Sequence, residues 1–266
     1  MSAPRIFDIK IYDELNAARG SVVTGLLSAV KNQLGLRTAI DVACGAGYFS
    51  ALLKSAGLDV TGVDARQNNI EDCQRREPDI RFQRFDAEDA AIRNLGKFDL
   101  VFCFGLLYHL ENPLLAIRHL HALTGTLLLV EGVIFPGDQP IMGLVDEVRS
   151  DDQGLNYFAF YPTESCLQKM LFKAGFANVY KFAVMPDHPT YRTSKRSPRV
   201  RTMLAASHKP LTTRFLEPLQ EPGTYFAPWD ADSVAAAHDS LGKLRRFTAK
   251  PFPEKIKSIK RLIINR

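Results

Sequence analysis

What the chain lacks removes several classes of protein before any motif is considered. No apolar run is long enough to span a bilayer, and the opening residues, MSAPRIFDIK, have no apolar core of the kind that directs secretion. Only four cysteines occur, Cys44, Cys73, Cys103 and Cys166, and neighbouring ones are 29 or more positions apart. Paired metal-type spacings are therefore missing. No metal centre is expected, and the thiols are expected to be reduced, in a cytoplasmic protein. Internal repeats, low-complexity tracts and a catalytic serine–histidine set are also lacking.

Charge is present but unevenly placed. Residues 1–187 hold 18 Lys and Arg against 23 Asp and Glu, whereas residues 188–266 hold 16 against 6. The basic character thus belongs to the last third, where Arg192, Lys195, Arg196, Arg199 and Arg201 cluster. Such a segment can face RNA, anionic lipid or an acidic substrate, or it can be a solvated surface or a homodimer contact.

At 266 residues the chain has room for one large α/β domain with an appendage. Apolar residues at helical spacing predict a helix over 12–34, stopped by Gly35. Strands are expected at 38–43, 59–64, 81–85, 98–103, 125–133, 178–184 and 199–207. Helices are expected near 47–56, 67–76, 113–122 and 164–173, and two more at 230–246 and 255–264. Strand–helix alternation with short connections is the signature of a parallel sheet covered on both faces. Residues 135–160 read as irregular and rich in Asp, Gly and Pro, a candidate substrate lid beside the aromatic cluster Tyr157, Phe158, Phe160 and Tyr161.

The most informative stretch is TAIDVACGAGYF, residues 38–49. A strand carrying Asp41 breaks into Gly45 and Gly47, and a helix follows. Glycines at this place let backbone approach a nucleotide-like ligand lying over the sheet edge. Asp64 ends the second strand, where a carboxylate can accept both ribose hydroxyls. By itself this pattern also fits a dinucleotide enzyme, since GAGYFS departs from that fingerprint only at Ser50. The context decides otherwise. Asp41 stands before the glycines, where an acid suits a cationic ligand and not a pyrophosphate. Asp86-Ala87 ends the third strand with an acceptor for an adenine amino group. FDLVFCFGLLYHLENP, residues 98–113, is followed by no second nucleotide-binding half.

Over residues 38–207 these motifs resemble the class I S-adenosylmethionine-dependent methyltransferases. The resemblance implies an α/β, Rossmann-like, seven-stranded sheet, mostly parallel with an antiparallel last strand and helices on both faces; the helical patterns at 230–246 and 255–264 add a C-terminal helical extension. It divides the chain into an N-terminal helical segment (1–37), a methyltransferase domain (38–210) and a basic extension (211–266). It places Asp41, Ala43, Gly45 and Gly47 around the methionine part of S-adenosylmethionine, Asp64 and Ala65 at the ribose and Asp86-Ala87 at the adenine, with Phe104 and Tyr108 also lining the cofactor. The family more often has glycine at position 43. Alanine there is expected to keep ordinary backbone angles and to alter the turn slightly. GLLYHLENP, LLLVEGVI and NYFAFYPTESCLQKMLFKAGF further resemble the catalytic part of the tRNA wobble-uridine carboxymethyltransferases and their bacterial relatives. In those enzymes the donor is carboxy-S-adenosylmethionine, whose extra carboxylate meets a tyrosine matched by Tyr108 and an arginine matched by Arg201.

For an acceptor hydroxyl, a base that takes the proton as the new bond forms assists transfer. His109, just past the fourth strand, is the first candidate, because imidazole titrates near neutral pH. Glu131, at the end of the fifth strand, is a second base, a substrate anchor or a surface acid. Tyr157, Tyr161, Arg199 and Arg201 are candidates for substrate contact. Three functions remain open: O-methylation of a small molecule such as a sugar or glycolipid precursor, tRNA modification, and a non-catalytic nucleotide-binding module.

Overall fold

The computed structural model describes residues 10–150, 152–192 and 200–223. Its helices are α1 (Lys10–Leu34), α2 (Tyr48–Ser55), α3 (Gln67–Arg76), α4 (Pro113–Leu123) and α5 (Glu164–Ala174). The first strands, β1 (Thr38–Val42), β2 (Asp59–Asp64), β3 (Arg81–Arg84), β4 (Phe98–Phe104) and β5 (Thr124–Ile134), alternate with helices or helical turns. Then come β6 (Met142–Asp146), β7 (Phe158–Pro162), β8 (Asn178–Phe182), β9 (Val200–Ser207) and β10 (Leu216–Leu219).

Eight strands form one sheet in the order β10-β8-β9-β5-β4-β1-β2-β3. The pairs among β1 to β5 are parallel, and β9 enters antiparallel between β5 and β8. The expected seven-stranded pattern is therefore present. An eighth strand, β10, extends it by pairing antiparallel with β8 beyond position 210. The first compact unit ends at Pro222. The helices expected at 230–246 and 255–264 lie outside the described residues.

Alternate residues of the central strands feed two apolar layers. Leu100 and Phe102 join Leu26, Leu27, Leu53 and Ile70 from α1, α2 and α3. Val101 and Cys103 join Ile117, Leu120, Leu167 and Leu171 from α4 and α5. Burial on both faces explains why β4 and β5 read as nearly continuous apolar runs. Each fully buried leucine or isoleucine contributes about 1.5–3 kcal/mol of transfer free energy.

Residues 135–160 are not irregular throughout. β6 pairs antiparallel with β7 in a separate hairpin. Met142, Leu144 and Asp146 face solvent while Gly143 and Val145 are half-buried. A two-stranded element with one half-covered face gives a weak alternation, which flanking Pro and Asp residues obscured. No helix among the described residues is long and apolar enough to cross a membrane.

Candidate functional site

β1 and β4 are neighbours whose connections leave toward opposite sides, so their C-terminal ends open a crevice. The turn after β1 forms one wall. Gly45 and Gly47 take φ of 54° and 84°, and the Gly47 amide donates to the Cys44 carbonyl at 2.8 Å. A Cβ on Gly47 would lie 3.2 Å from Cys73 Sγ, so both its backbone angle and its surroundings require glycine.

Ala43 corrects an expectation: its φ is 63°, in the left-handed region that alanine rarely enters. The turn is not altered to suit alanine. Alanine is held in the conformation the turn demands, because the Cys44 amide is fixed to the Val63 carbonyl at 3.0 Å and the Gly45 amide to Asp64 Oδ2 at 3.0 Å. Left-handed backbone costs an L-residue about 1–2 kcal/mol, partly offset by the lower unfolded-chain entropy of alanine. Ala43→Gly is therefore expected to stabilise the protein by about 1 kcal/mol, seen as a rise of roughly 2–4 °C in Tm by calorimetry.

The two acids of the motif occupy different places. Asp64 lies in the cavity wall, its carboxylate accepting from the amides of Gly45 (3.0 Å) and Arg66 (2.8 Å) and from Asn69 Nδ2 (3.1 Å). Burial still holds its pKa above the ordinary carboxylate value, with those donors offsetting part of the effect. Asp41 is not in the wall. It is fully buried behind the turn, where Ser50 Oγ donates to it at 2.7 Å. Burial, opposed by Ser50 and reinforced by Asp64, pushes its pKa up to about 7.

A raised carboxylate pKa opposes folding increasingly as pH climbs from the unfolded value toward 7, because the unfolded chain releases the proton more readily. Asp41→Asn removes that penalty. Its stability relative to the parent is expected to increase by about 2–3 kcal/mol between pH 5 and pH 8, measured by urea unfolding at both pH values.

The cavity measures about 650 Å³, within the range of small-ligand sites. Its walls include the glycine turn, Asp64 and Ala65 after β2, Phe85 to Glu88 after β3, and Phe104 to Leu106 after β4. Asp86 Oδ1 accepts from the Glu88 amide at 2.9 Å, and the buried His119 engages the Ala87 carbonyl through Nδ1 at 2.9 Å. The far end is closed by Tyr12, Asn16 and Arg19 of α1 and by Asp152 to Asn156 of the hairpin loop. Tyr12 donates to Asp152 at 2.5 Å and Arg66 to the Gln153 carbonyl at 3.0 Å, tying that loop across the opening.

Beneath this closed end lies a buried charge cluster. Glu131, on β5, accepts from Arg19 Nη2 (3.0 Å), Arg201 Nη1 (3.0 and 3.2 Å) and the Tyr191 hydroxyl (2.8 Å). Arg201 Nη2 donates to the Tyr108 hydroxyl at 3.0 Å. Burial alone would raise the Glu131 pKa, but the two guanidinium groups outweigh it and hold it below the ordinary value. Its surroundings suit a permanently ionised anchor for two arginines. They suit neither a proton acceptor nor a surface acid.

A family model described as a methyltransferase domain matches residues 40–125. The ubiquinone biosynthesis O-methyltransferase of Psychrobacter cryohalolentis is 28% identical over 185 residues, covering 62% of this chain and 68% of that protein. The tRNA U34 carboxymethyltransferase of Pseudomonas fluorescens is 36% identical over 153 residues, 53% of this chain but only 45% of that protein. Among solved structures, the N-terminal domain of EvdMO1 with SAH bound has a TM-score of 0.58 at 18% identity, covering 73% of this chain and 81% of that one. The magnesium protoporphyrin IX methyltransferase of Synechocystis with bound SAM has a TM-score of 0.51 at 18% identity, covering 79% and 87%. Together these findings support a class I S-adenosylmethionine-dependent methyltransferase.

The cofactor that the methyltransferase-domain match points to is S-adenosylmethionine. The residues present fit it: glycine backbone, a carboxylate at the end of β2, an acid after β3 and the apolar rings of Phe85 and Phe104 all line the crevice. Of the residues expected to contact an acceptor, Tyr161 and Arg201 line the cavity, as does His109. Tyr157 is not in its wall; it is partly exposed beneath the Arg149 guanidinium, 5.3 Å from its ring centre. Arg199 lies outside the described residues, and Arg192 pairs with Asp187.

Three contributors were not foreseen. Arg19 carried a readable signal, a cation inside the apolar stripe Leu15, Val23, Leu26 of α1. Tyr191 and Glu147 carried none, because they sit in short turns whose pattern reports nothing about burial. No group of three or more His, Cys, Asp or Glu side chains among the described residues is placed to hold a metal ion.

Proposed function

We propose that this methyltransferase transfers a methyl group to a hydroxyl of a small molecule, a phenol or a sugar-type alcohol. The observation that supports this reading most strongly is the closure of the cavity's far end by α1 and the hairpin loop, with His109 in the wall. That enclosure suits a compact acceptor better than a polynucleotide. The similarity to an O-methyltransferase of ubiquinone biosynthesis points the same way.

When bound, S-adenosylmethionine supplies a methyl group on a cationic sulfur that a nucleophile displaces. The chain's own task is alignment, exclusion of water and handling of one proton. In this reading Asp64 holds the ribose hydroxyls with the acceptor capacity that Gly45, Arg66 and Asn69 leave unused, and Ala65 flanks it. The Asp86 carboxylate and the Ala87 amide meet the adenine edge; the Ala87 carbonyl is already engaged by His119. Gly45 and Gly47 border the methionine part, while Asp41 braces the turn from behind through Ser50. His109 accepts the acceptor's proton.

A second reading concerns the donor. Tyr108 and Arg201 are hydrogen-bonded at 3.0 Å in the cavity wall, and Arg19 and Arg201 face one carboxylate, Glu131. This leaves excess positive charge, which favours a donor bearing an extra carboxylate.

The test supplies methyl-labelled S-adenosylmethionine to the purified protein with a catechol, a hexose derivative or bulk tRNA. Label is expected in a hydroxyl acceptor and not in tRNA; transfer to tRNA alone would overturn the proposal. Mass spectrometry of the nucleoside that copurifies distinguishes the two donors.

A further inference from the structure

We infer that Glu147, on the hairpin that closes the cavity, is the positioning residue for His109, so that one element both shuts out water and prepares the base. The inference rests on the reading of His109 as the proton acceptor, and it adds a residue that no sequence motif marks.

The geometry is specific. His109 ends the helical turn Leu107–His109 that follows β4, and Glu147 immediately follows β6. Their side chains are only 10% and 1% exposed, and His109 Nδ1 lies 2.6 Å from Glu147 Oε1. The approach is off the axis of an aligned hydrogen bond, so the contact is close but bent. Two lone pairs cannot be held that close, and the proton therefore resides on Nδ1. Nε2 makes no hydrogen bond among the described residues, which leaves it as the nitrogen able to accept a proton.

Glu147 is itself fixed. Its Oε2 accepts from the Gly154 amide at 2.9 Å, and its own amide donates to the Tyr157 carbonyl at 2.9 Å. Gly154 packs so closely that a Cβ there would lie 2.7 Å from the His109 carbonyl oxygen and 3.0 Å from Glu147 Oε2. The Tyr108 ring packs on the other side, 4.1 Å between ring centres. A carboxylate buried this deeply on a surface hairpin costs several kcal/mol unless a cation or donor faces it. The Nδ1 side of His109 and the Gly154 amide are what face it among the described residues.

The arrangement does for His109 what a carboxylate does for any catalytic imidazole. It selects the tautomer with Nδ1 protonated, fixes the ring plane, and balances the imidazolium once the acceptor's proton has moved to Nε2. The other ionisable groups on elements packed against this turn are Tyr161 on β7, Arg118, His119 and His121 on α4, and Glu131 on β5; His119 engages Ala87 and Arg93, and Glu131 is held by Arg19 and Arg201.

The experiment uses the whole protein labelled with [15N]histidine and saturated with S-adenosylhomocysteine. His109 signals are assigned by their loss in His109→Gln. The parent and Glu147→Asp are expected to show the proton on Nδ1, and Glu147→Leu to shift it toward Nε2. With a hydroxyl acceptor that takes up label in the assay above, Glu147→Leu should lower kcat about 10–100-fold with KM within about twofold, and Glu147→Asp should recover much of the loss. A parent protonated on Nε2, or a tautomer unchanged in Glu147→Leu, overturns the inference. Unchanged turnover in His109→Gln instead overturns the base reading beneath it, whatever the tautomer shows.

Discussion

Replacing Asp64 by alanine is expected to weaken S-adenosylhomocysteine binding by about 100-fold or more, measured by titration calorimetry. Two effects act together. The carboxylate is the acceptor for Gly45, Arg66 and Asn69, so its loss leaves two backbone amides at the mouth of the turn without their partner. It also removes the charged acceptor assigned to the ribose, and hydrogen bonds to a charged group contribute about 1.5–3 kcal/mol each. Asp64→Asn keeps part of the acceptor capacity and should fall between the two. Circular dichroism separates lost binding from lost fold, and an affinity within threefold of the parent in a folded Asp64→Ala protein would move the ribose site elsewhere.

The second large effect is expected in stability. Glu131→Gln leaves Arg19 and Arg201 facing each other with no anion between them, at side-chain exposures of 6% and 15%. Breaking a buried pair by removing one partner costs about 3–5 kcal/mol, which corresponds here to a fall of roughly 10 °C in Tm. The pH dependence has a defined sign. A carboxylate whose folded pKa is depressed contributes stability above its unfolded value and loses it as pH falls through the folded value. The parent should therefore lose stability in acid faster than Glu131→Gln, and the difference between them should shrink below pH 4 or so. Adding Arg19→Met to Glu131→Gln should restore part of the loss, since one unpaired cation is then removed; additive losses would show that the two arginines do not share the carboxylate.

Much of the cofactor end was legible in the sequence because it is built from consecutive residues at strand ends. Strand–turn–helix periodicity located β1, α2 and β2, and helix 67–76 fell where α3 is found. Asp64, Ala65, Asp86, Ala87, Phe104 and Tyr108 all reach the cavity wall. Two details were not legible. Alanine's usual backbone preference argued against a left-handed Ala43, yet the hydrogen bonds of the next two amides to the end of β2 impose it. Asp41 stood in a motif position that pointed at ligand, whereas its side chain turns into the protein toward Ser50.

The acceptor end is a different case. Arg19, Glu131, Tyr191 and Arg201 come from α1, β5, a short turn and β9, and Glu147 from a hairpin whose alternation is faint. Glu131 and Arg201 were already candidates for the site, but the pairing of these charges was not legible, because a charge shows its partner only once burial has removed water from both. By itself, then, the sequence determined the sheet and the glycine turn, which follow from local periodicity and backbone conformation, and the resemblance of its motifs to a known family supplied the class of cofactor. Only the tertiary structure decided which charges are paired, which arginine is buried beside Tyr108 and which carboxylate faces His109, because those depend on desolvation shared by residues far apart in the chain.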